Sequence, residues 1–325
     1  MRKTLPSAEQ DVAQLIDRLR SGDVRALARA VSLVENDVSS AAEVLSGCFP
    51  FSGRALRIGV TGAPGAGKST LVDKLARHYR SAGMTVGVIA VDPTSPFTGG
   101  AILGDRIRMQ ENLSDPGLYV RSMATRGSLG GLARTTADVA SVIEASGKDV
   151  ILIETVGVGQ DEIDIVRLSD VTIVVLVPGM GDDVQSLKAG IMEIADLFVV
   201  NKADREGADR VEKEVHAMQS LAGSHSGWVP LVVKTVATTG EGIDRLVAAI
   251  VKMKQWLESD GRMEARRKKY WSERITEMMR HALMRQAREH GLSDAELENH
   301  AEQVTSGRED PYKLVPELVA RVMKA

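Results

Sequence analysis

The sequence has one cysteine, Cys48, among 325 residues. A single cysteine excludes a disulfide within the chain and any metal site built from several cysteines, and it fits a reducing compartment. The longest apolar run, residues 171–177, is far shorter than the roughly 20 residues that a membrane-spanning helix needs. The N-terminus has acidic residues among its apolar ones, unlike a secretory or transit signal. These absences predict a cytoplasmic chain that does not cross a membrane.

Aromatic residues are scarce as well, at 3% of the chain, and the net charge is only -3. Proteins that bind single-stranded nucleic acid stack bases on aromatic rings, and nucleic-acid surfaces generally carry a basic patch. We therefore predict no nucleic-acid partner. Apolar residues make up 43% of the chain and charged residues 26%, close to the averages of folded proteins, so the chain is expected to form a sizeable core.

Helical patterns fill both ends of the chain and β-strand patterns fill its middle. Apolar residues recur at helical spacing over the first fifty residues, over a long amphipathic stretch at 261–290 and over two shorter stretches after it. Between these ends, short runs that are apolar on both faces alternate with helical segments, which is typical of parallel strands covered on both sides. The predicted strands are 55–61, 85–91, 118–121, 150–154, 171–177, 197–200 and 231–234.

This pattern predicts a doubly wound α/β fold with a mainly parallel sheet flanked by helices. We assign residues 53–258 to this domain, 1–52 to an N-terminal helical extension and 259–325 to a C-terminal helical arm. The arm contains amphipathic helices, so it needs a partner surface.

The first predicted strand leads into a glycine-rich segment that matches the phosphate-binding P-loop, and a helix follows it, as that motif requires. Glycines let successive backbone N–H groups face phosphate oxygens, and the helix presents the positive end of its dipole to the same anion. Lys68 would reach the β- and γ-phosphates, and Ser69 would place its hydroxyl on Mg²⁺. A structural glycine turn is the alternative. The predicted nucleotide-binding residues here are Gly62, Ala63, Pro64, Gly65, Ala66, Gly67, Lys68, Ser69 and Thr70.

Asn201, Lys202 and Asp204 follow a later strand and form the pattern Asn-Lys-x-Asp, which reads guanine. The Asp204 carboxylate can accept hydrogen bonds from the N1–H and the exocyclic amine of guanine, and adenine does not offer this pair of donors. Charge-assisted hydrogen bonds contribute roughly 1.5 to 3 kcal/mol each, so selection of GTP over ATP is expected. Ala237, after the last strand, is a candidate for a third base contact through its backbone N–H. A loop without ligand contact is the alternative there.

Two acidic residues, Asp92 and Glu154, each end a predicted apolar strand and are candidates for a Mg²⁺ site. Glu154 and Gly157 occupy the place of the Walker-B motif, with Glu in place of Asp and the Gly157 N–H directed at the γ-phosphate. Asp92 would act on the metal ion through water. Either acid could instead cap a helix or lie solvated in a loop.

The segment 93–104 is rich in Gly, Ser and Thr and is followed by charged residues, which suits a switch that orders around Mg²⁺ and the γ-phosphate. Asp105 is a further metal candidate, and Arg108 is a candidate for offsetting transition-state charge. A surface salt bridge explains Arg108 equally well. No residue beside Gly157 is suited to position the attacking water, so we expect slow hydrolysis that a partner completes or controls. The predicted catalytic residues are Lys68, Glu154, Asp92 and Arg108.

Four sequence strings together resemble one family: VDPTS at 91–95, GGAILGD at 99–105, ETVGVGQ at 154–160 and NKAD at 201–204. They are similar to MeaB, the G-protein chaperones of adenosylcobalamin-dependent acyl-CoA mutases, and to the relative linked to methylmalonic aciduria type A. The likeness runs from the N-terminal helices to about residue 258. It implies a GTPase that binds such a mutase, gates cobalamin loading from an adenosyltransferase and protects or reactivates the mutase, without binding cobalamin itself.

The resemblance also implies a homodimer formed through the C-terminal helices. It further implies an additional switch at 179–188, with Asp182, Asp183 and Lys188, that couples the nucleotide to the mutase. An ordinary strand-to-helix loop is the alternative for that stretch.

Other function classes fit parts of the sequence. The family also carries a label as an ATPase or kinase attached to amino-acid transport, but Asp204 argues against ATP. A nickel-insertion metallochaperone GTPase shares the fold, but Cys48 stands alone and the histidines of the C-terminal arm are not at i, i+3 or i+4 spacing. A dimer that binds nucleotide without turnover is a third reading. The identity of the mutase stays open among enzymes for methylmalonyl-CoA, isobutyryl-CoA and 2-hydroxyisobutyryl-CoA.

Overall fold

A computed structural model of the chain describes residues 8–92, 115–124, 131–155, 168–179, 194–222, 227–289 and 292–322. The chain divides into two compact units, Met1–Met263 and Glu264–Ala325. In the first unit the helices are α1 (Ala8–Arg20), α2 (Val24–Glu35), α3 (Ala41–Cys48), α4 (Lys68–Ser81), α5 (Gly131–Ala145), α6 (Ala208–Ala222) and α7 (Ile243–Glu258). Its strands are β1 (Leu56–Gly62), β2 (Val86–Asp92), β3 (Leu118–Ala124), β4 (Val150–Glu154), β5 (Val171–Leu176), β6 (Leu197–Asn201) and β7 (Leu231–Thr235).

The described strands form one parallel sheet in the order β3-β2-β4-β1-β5-β6-β7. This confirms the predicted doubly wound α/β fold. The strands β4, β5 and β6 are buried along their whole length, as their unbroken apolar sequences indicate. The largest difference from the predicted bounds is in β3, which ends at Ala124 rather than at residue 121 because its last residues pair with β2.

Helices cover both faces of the sheet. On one face, α4 and α7 pack through apolar side chains such as Leu71, Leu75 and Ile250, all fully buried. On the other face, α6 packs against Phe198 of β6, and α5 packs against β2 and β4. Successive side chains of one strand point to opposite faces of the sheet. A buried strand therefore contributes apolar side chains to the hydrophobic core on each face.

The N-terminal helices belong to the same compact unit as the sheet. Helix α2 packs on α5, and Arg121 of β3 forms an ion pair with Glu35 of α2. At the start of α2, Asp23 accepts hydrogen bonds from the backbone N–H groups of Arg25 and Ala26. Burial at the end of α3 raises the pKa of the Cys48 thiol to about 11. The three-part division at 1–52, 53–258 and 259–325 stays a prediction.

The second unit consists of helices. Helix α8 (Arg262–Glu289) begins at the end of the first unit and is followed by α9 (Asp294–Thr305) and α10 (Pro311–Val322). The side-chain oxygen of Ser293 accepts a hydrogen bond from the Glu296 N–H and so caps α9. An ion pair joins Arg321 to Glu296 at 2.7 Å, and a hydrogen bond joins the ring of His300 to Glu309 at 2.7 Å. Within the described ranges no helix has the length and apolar content required to span a bilayer.

Candidate nucleotide-binding site

The predicted phosphate loop, residues 62–67, connects the end of β1 to the start of α4. Strand β1 lies between β4 and β5, so chain connections leave it toward both halves of the sheet. Doubly wound sheets bind ligands at such a switch point, outside the carboxyl ends of the strands. The fold therefore places this loop where a ligand is expected.

Two glycines allow the loop to lie against its neighbours. Gly62 has φ of 137°, and a Cβ atom at this position would collide with the backbone carbonyl oxygen of Val175 in β5. Gly67 has φ of 89°, and a Cβ atom there would lie 2.5 Å from the side-chain nitrogen of Asn201. Both dihedral angles lie in the region that favours glycine. Gly67 also precedes α4 without a side-chain cap, so the first N–H groups of that helix are open to an anion.

The ammonium group of Lys68 lies over this loop. Its Nζ donates hydrogen bonds to the carbonyl oxygens of Gly62 at 2.8 Å and Ala63 at 2.9 Å. The side chain is buried, so its charge is directed into the loop rather than into water. A phosphate in the loop would find a fixed cation and open N–H groups together, as an anion site requires. Thr70 follows in the first turn of α4.

Ser69 and Glu154 meet across the gap between α4 and β4. The hydroxyl of Ser69 donates to Oε1 of Glu154 at 2.6 Å, and Glu154 is buried at the end of its strand. Both groups offer hard oxygen ligands, the type that Mg²⁺ prefers, and Mg²⁺ usually takes only one or two protein ligands beside water and phosphates. The donor set fits that ion. Among the described residues no group of three or more His, Cys, Asp or Glu side chains is arranged to hold a metal.

The remaining predicted phosphate and metal ligands are only partly covered by the structure. The backbone of Asp92 ends β2 at the same edge of the sheet, since Ala90 lies opposite Glu154 in the strand register. Asp92 stays a predicted ligand. The other predicted residues, Asp105, Arg108, Gly157, Asp182, Asp183 and Lys188, lie outside the described residues.

Asn201 connects the guanine motif to the phosphate loop. Its side-chain nitrogen donates to the carbonyl oxygen of Ala66 at 2.8 Å. Its side-chain oxygen accepts from the Thr235 hydroxyl and from the backbone N–H of Ala237, both at 3.1 Å. One buried side-chain amide therefore joins the ends of β6 and β7 to the loop after β1. The opposite orientation of this amide would place its oxygen against the Ala66 carbonyl and its nitrogen against the Ala237 N–H, so the observed one is required.

Lys202 and Asp204 follow on the same turn. Lys202 adopts φ of 55°, a conformation that costs energy for a residue with a side chain, and its Nζ donates to the carbonyl oxygen of Gly65 at 2.7 Å. The side chain of Asp204 is exposed, so its carboxylate is accessible to a base. The Asn-Lys-x-Asp pattern and the phosphate loop thus form one continuous site.

Ala237 is buried, and its N–H donates to Asn201. To meet a base oxygen, this N–H must leave Asn201 or be shared with it. The predicted base contact of Ala237 therefore stays a prediction.

Three buried threonines at this edge, Thr61, Thr155 and Thr235, were assigned no role from the sequence. Thr155 donates through its hydroxyl to the hydroxyl of Thr61 at 3.2 Å, and its N–H donates to the carbonyl oxygen of Val60. Thr235 donates to Asn201 and accepts from the N–H of Ala203 through its carbonyl. Thr61 lies one residue before the end of β1, Thr155 directly follows β4 and Thr235 ends β7, so a hydroxyl near the end of an apolar strand was the available signal.

Comparison with protein families gives a match over most of the chain. The family model described as "Methylmalonyl Co-A mutase-associated GTPase MeaB" matches residues 27–291. This range begins within α2 and includes the whole described sheet.

Individual proteins agree with that match. A Pyrococcus abyssi protein that carries a GTPase name is 48% identical over 315 residues, which are 96% of this chain and 97% of that protein. The mouse methylmalonic aciduria type A homolog, mitochondrial, is 35% identical over 276 residues, which are 78% of this chain and 66% of that protein. A crystal structure of a LAO/AO transport system kinase has a TM-score of 0.72 at 27% identity, with 98% of this chain and 100% of that chain covered.

Proposed function

The chain belongs to the MeaB family of methylmalonyl-CoA mutase-associated GTPases, and we propose that it acts as the GTP-hydrolysing chaperone of an adenosylcobalamin-dependent acyl-CoA mutase. In this role the nucleotide state gates cobalamin loading from an adenosyltransferase and protects or reactivates the mutase, and the chaperone itself binds no cobalamin. The observation that supports the nucleotide part most directly is Asn201, because its amide joins the guanine motif to the phosphate loop.

Within the site, the phosphate loop and the guanine motif would have separate tasks. Lys68 would bind the β- and γ-phosphate oxygens beside the backbone N–H groups of the loop, and Asp204 would select guanine. Ser69 and Glu154 would hold Mg²⁺ together with Asp92 and Asp105, and the ion would neutralise charge on the phosphates. Gly157 and Arg108 complete the proposed set on the γ-phosphate side.

The family membership also supports a homodimer formed through the C-terminal arm. Helix α8 exposes Ile275, Met278, Met279 and Leu283, each to more than half of its surface. These residues recur at helical spacing on one stripe, which is the pattern of a helix that packs against another surface. A second copy of the arm would cover that stripe. The additional switch at Asp182, Asp183 and Lys188 is proposed to transmit the nucleotide state to the mutase.

The kinase name of the structural relative raises a second function, an ATP-dependent phosphotransferase. The two functions differ in the base that the protein accepts. Asp204 is exposed at the end of the Asn-Lys-x-Asp turn, and this favours guanine. Its carboxylate can accept from both the N1–H and the exocyclic amine of guanine, whereas adenine does not offer this pair of donors.

Phosphate release with GTP and with ATP, alone and with a purified mutase, tests the proposal. We expect slow GTP hydrolysis, on the order of 10⁻³ to 10⁻² s⁻¹, a much slower reaction with ATP, and acceleration by one of the three candidate mutases, those for methylmalonyl-CoA, isobutyryl-CoA or 2-hydroxyisobutyryl-CoA. Lys68→Ala serves as the inactive control. Equal use of ATP contradicts the assignment of the base, and indifference to all three mutases contradicts the chaperone role.

A further inference from the structure

Strand β7 lies at the edge of the sheet that the described strands form, and there β6 is its one neighbour. Among the described residues, part of its outer side has no backbone partner. The carbonyl of Thr235 accepts from Ala203 on the β6 side, and backbone groups of alternate residues point to opposite sides of a strand. The carbonyl and N–H of Val232 therefore point away from the sheet, in the same direction as the carbonyl of Pro230, which accepts from the Gln219 side chain. Within the described ranges nothing hydrogen-bonds to Val232 on that side.

A groove follows this outer edge between the helices of the two faces. Its cavity has a volume of about 410 Å³ and is lined by β7, by Glu212 of α6 and by Arg245, Ala248 and Lys252 of α7. Leu231, which lines the groove, and Val229, two residues before it, expose apolar side chains. The small side chain of Ala248 lies between the two cations, so a chain in the groove can approach the strand closely.

The charges on the two walls of the groove are not equivalent. On the α6 side, the ammonium of Lys234 is bound by Asp209 and Glu212, both at 2.6 Å, and the hydrogen bond to Asp209 raises the pKa of Lys234 above its ordinary value. On the α7 side, Arg245 makes a 3.5 Å contact to the carbonyl oxygen of Lys234. In the part of the chain that the structure describes, neither Arg245 nor Lys252 has a carboxylate within ion-pair distance. Among the described residues, the two cations on the α7 side of the groove are therefore not neutralised by a carboxylate.

The spacing of these cations matches an extended chain. Arg245 and Lys252 are two helical turns apart, which corresponds to roughly 10 Å along α7. An extended peptide advances about 3.3 Å per residue and turns alternate side chains to one face, so acidic residues at alternate positions fall within reach of both cations.

We propose that this groove binds an acidic, extended peptide segment of a protein partner, which adds to β7 as a further strand. The backbone of the segment pairs with Val232, its acidic side chains contact Arg245 and Lys252, and apolar side chains between them cover Leu231. Strand addition of this kind takes affinity from main-chain hydrogen bonds and specificity from alternate side chains. The surface is separate from the phosphate loop and the guanine motif, and the proposal goes beyond the GTPase function.

Binding of synthetic peptides tests the proposal. The probes are fluorescein-labelled twelve-residue peptides in which Glu alternates with Val or Thr, and matched peptides with Lys in place of Glu, followed by fluorescence anisotropy with the full chain. We expect the acidic peptides to bind with a dissociation constant between about 1 μM and 1 mM, and the basic ones to bind at least about tenfold more weakly. Equal binding of both sets, or no binding of any acidic peptide, would overturn the proposal.

Two variants separate the backbone contribution from the charge contribution. Val232→Pro removes an N–H that the sheet does not use, and proline is tolerated on edge strands, so it should weaken peptide binding at least about tenfold, whereas Val232→Ala keeps the N–H and should bind as the parent does. The double change Arg245→Gln and Lys252→Gln should weaken binding about tenfold. Lys254→Gln, on the same helix but paired with Glu258, should leave binding unchanged.

GTP hydrolysis by each variant verifies that the fold is intact. Hydrogen exchange provides a second readout, since the Val232 amide should become protected only when the acidic peptide is present, while Val233 is protected throughout by its pairing with β6. Peptide binding that survives both Val232→Pro and the double change would place the peptide elsewhere and refute the proposal.

Discussion

The two parts of the site differ in what their hydrogen bonds are for. The side chain of Asn201 bonds to other protein groups and joins the ends of β6 and β7 to the loop after β1. Lys68 and Ser69 also bond to protein groups, but a nucleotide and its metal ion would replace these partners. We call the first region, Asn201, Lys202, Asp204, Thr235 and Ala237, the guanine half. The second, residues 62–69 with Glu154, is the phosphate half. Within the guanine half, Asn201, Thr235 and Ala237 form a brace whose hydrogen bonds are made without ligand, and the phosphate half holds its polar groups where a ligand would bind. Changes in the phosphate half should therefore lower turnover, and changes in the brace should lower stability.

The largest effect is expected for Lys68→Ala in the phosphate half. Loss of a fixed cation at developing phosphate charge should lower the rate of GTP hydrolysis by about 10² to 10³-fold. The carbonyl oxygens of Gly62 and Ala63 lose a hydrogen-bond donor, which should lower the free energy of unfolding in urea by about 1 kcal/mol, a much smaller effect than the loss of turnover. Lys74→Ala, in the same helix, is the control. A large loss of stability with little loss of turnover would reverse the comparison.

Asp204→Asn should weaken GTP binding by about 10- to 100-fold, because a charge-assisted pair of hydrogen bonds is lost. The amide replaces one acceptor by a donor, so preference should shift toward xanthine nucleotide. Titration with fluorescent GTP and XTP analogues measures both. Glu206→Gln, an exposed neighbour, should leave both affinities unchanged, and an unaltered GTP affinity in Asp204→Asn would show that the guanine half does not read the base.

Asn201→Ala tests the brace itself. The change leaves the carbonyl of Ala66 and the N–H of Ala237 without their partner in a buried place, which should cost about 2 kcal/mol of unfolding free energy. Urea denaturation monitored by tryptophan fluorescence measures this loss. Asn36→Ala, at the exposed end of α2, should cost much less. Equal losses in the two variants would mean that the guanine half is not preassembled.

The smallest effect is expected at Thr155, between the two halves. Thr155→Val keeps the shape of the side chain and removes the hydrogen bond to Thr61, which should cost about 1 kcal/mol. Thr305→Val, on the exposed surface of α9, is the control. A large fall in the rate of GTP hydrolysis together with an unchanged free energy of unfolding would assign Thr155 to the phosphate half.

The strands, and the position of the glycine loop between β1 and α4, were predictable from the sequence because their signals are local. Runs that are apolar on both faces indicate buried parallel strands, and a glycine loop between strand and helix indicates a phosphate site. The brace was not predictable in the same way, since Asn201 and Ala66 are 135 residues apart and meet only through the order of the strands.

The same limit applies to the surface of the molecule. Arg245 and Lys252 are ordinary polar positions of an amphipathic helix until β7 is known to be an edge strand. The N-terminal helices were assigned to an extension from their helical periodicity, but the packing of α2 on α5 depends on contacts that no local pattern encodes.

The position of β1 between β4 and β5 bears on how the protein reaches its folded state. Both neighbours of β1 follow it in the chain with other strands in between, so its pairing requires the closure of long loops, which is slow. Val175 of β5 and Asn201 of β6, which lie against the phosphate loop, also follow it in the chain. Nucleotide affinity should thus emerge at the end of folding. Because GTP would bind the folded protein and not the unfolded chain, it would raise the free energy of unfolding by mass action. The substrate would thereby stabilise the enzyme that uses it.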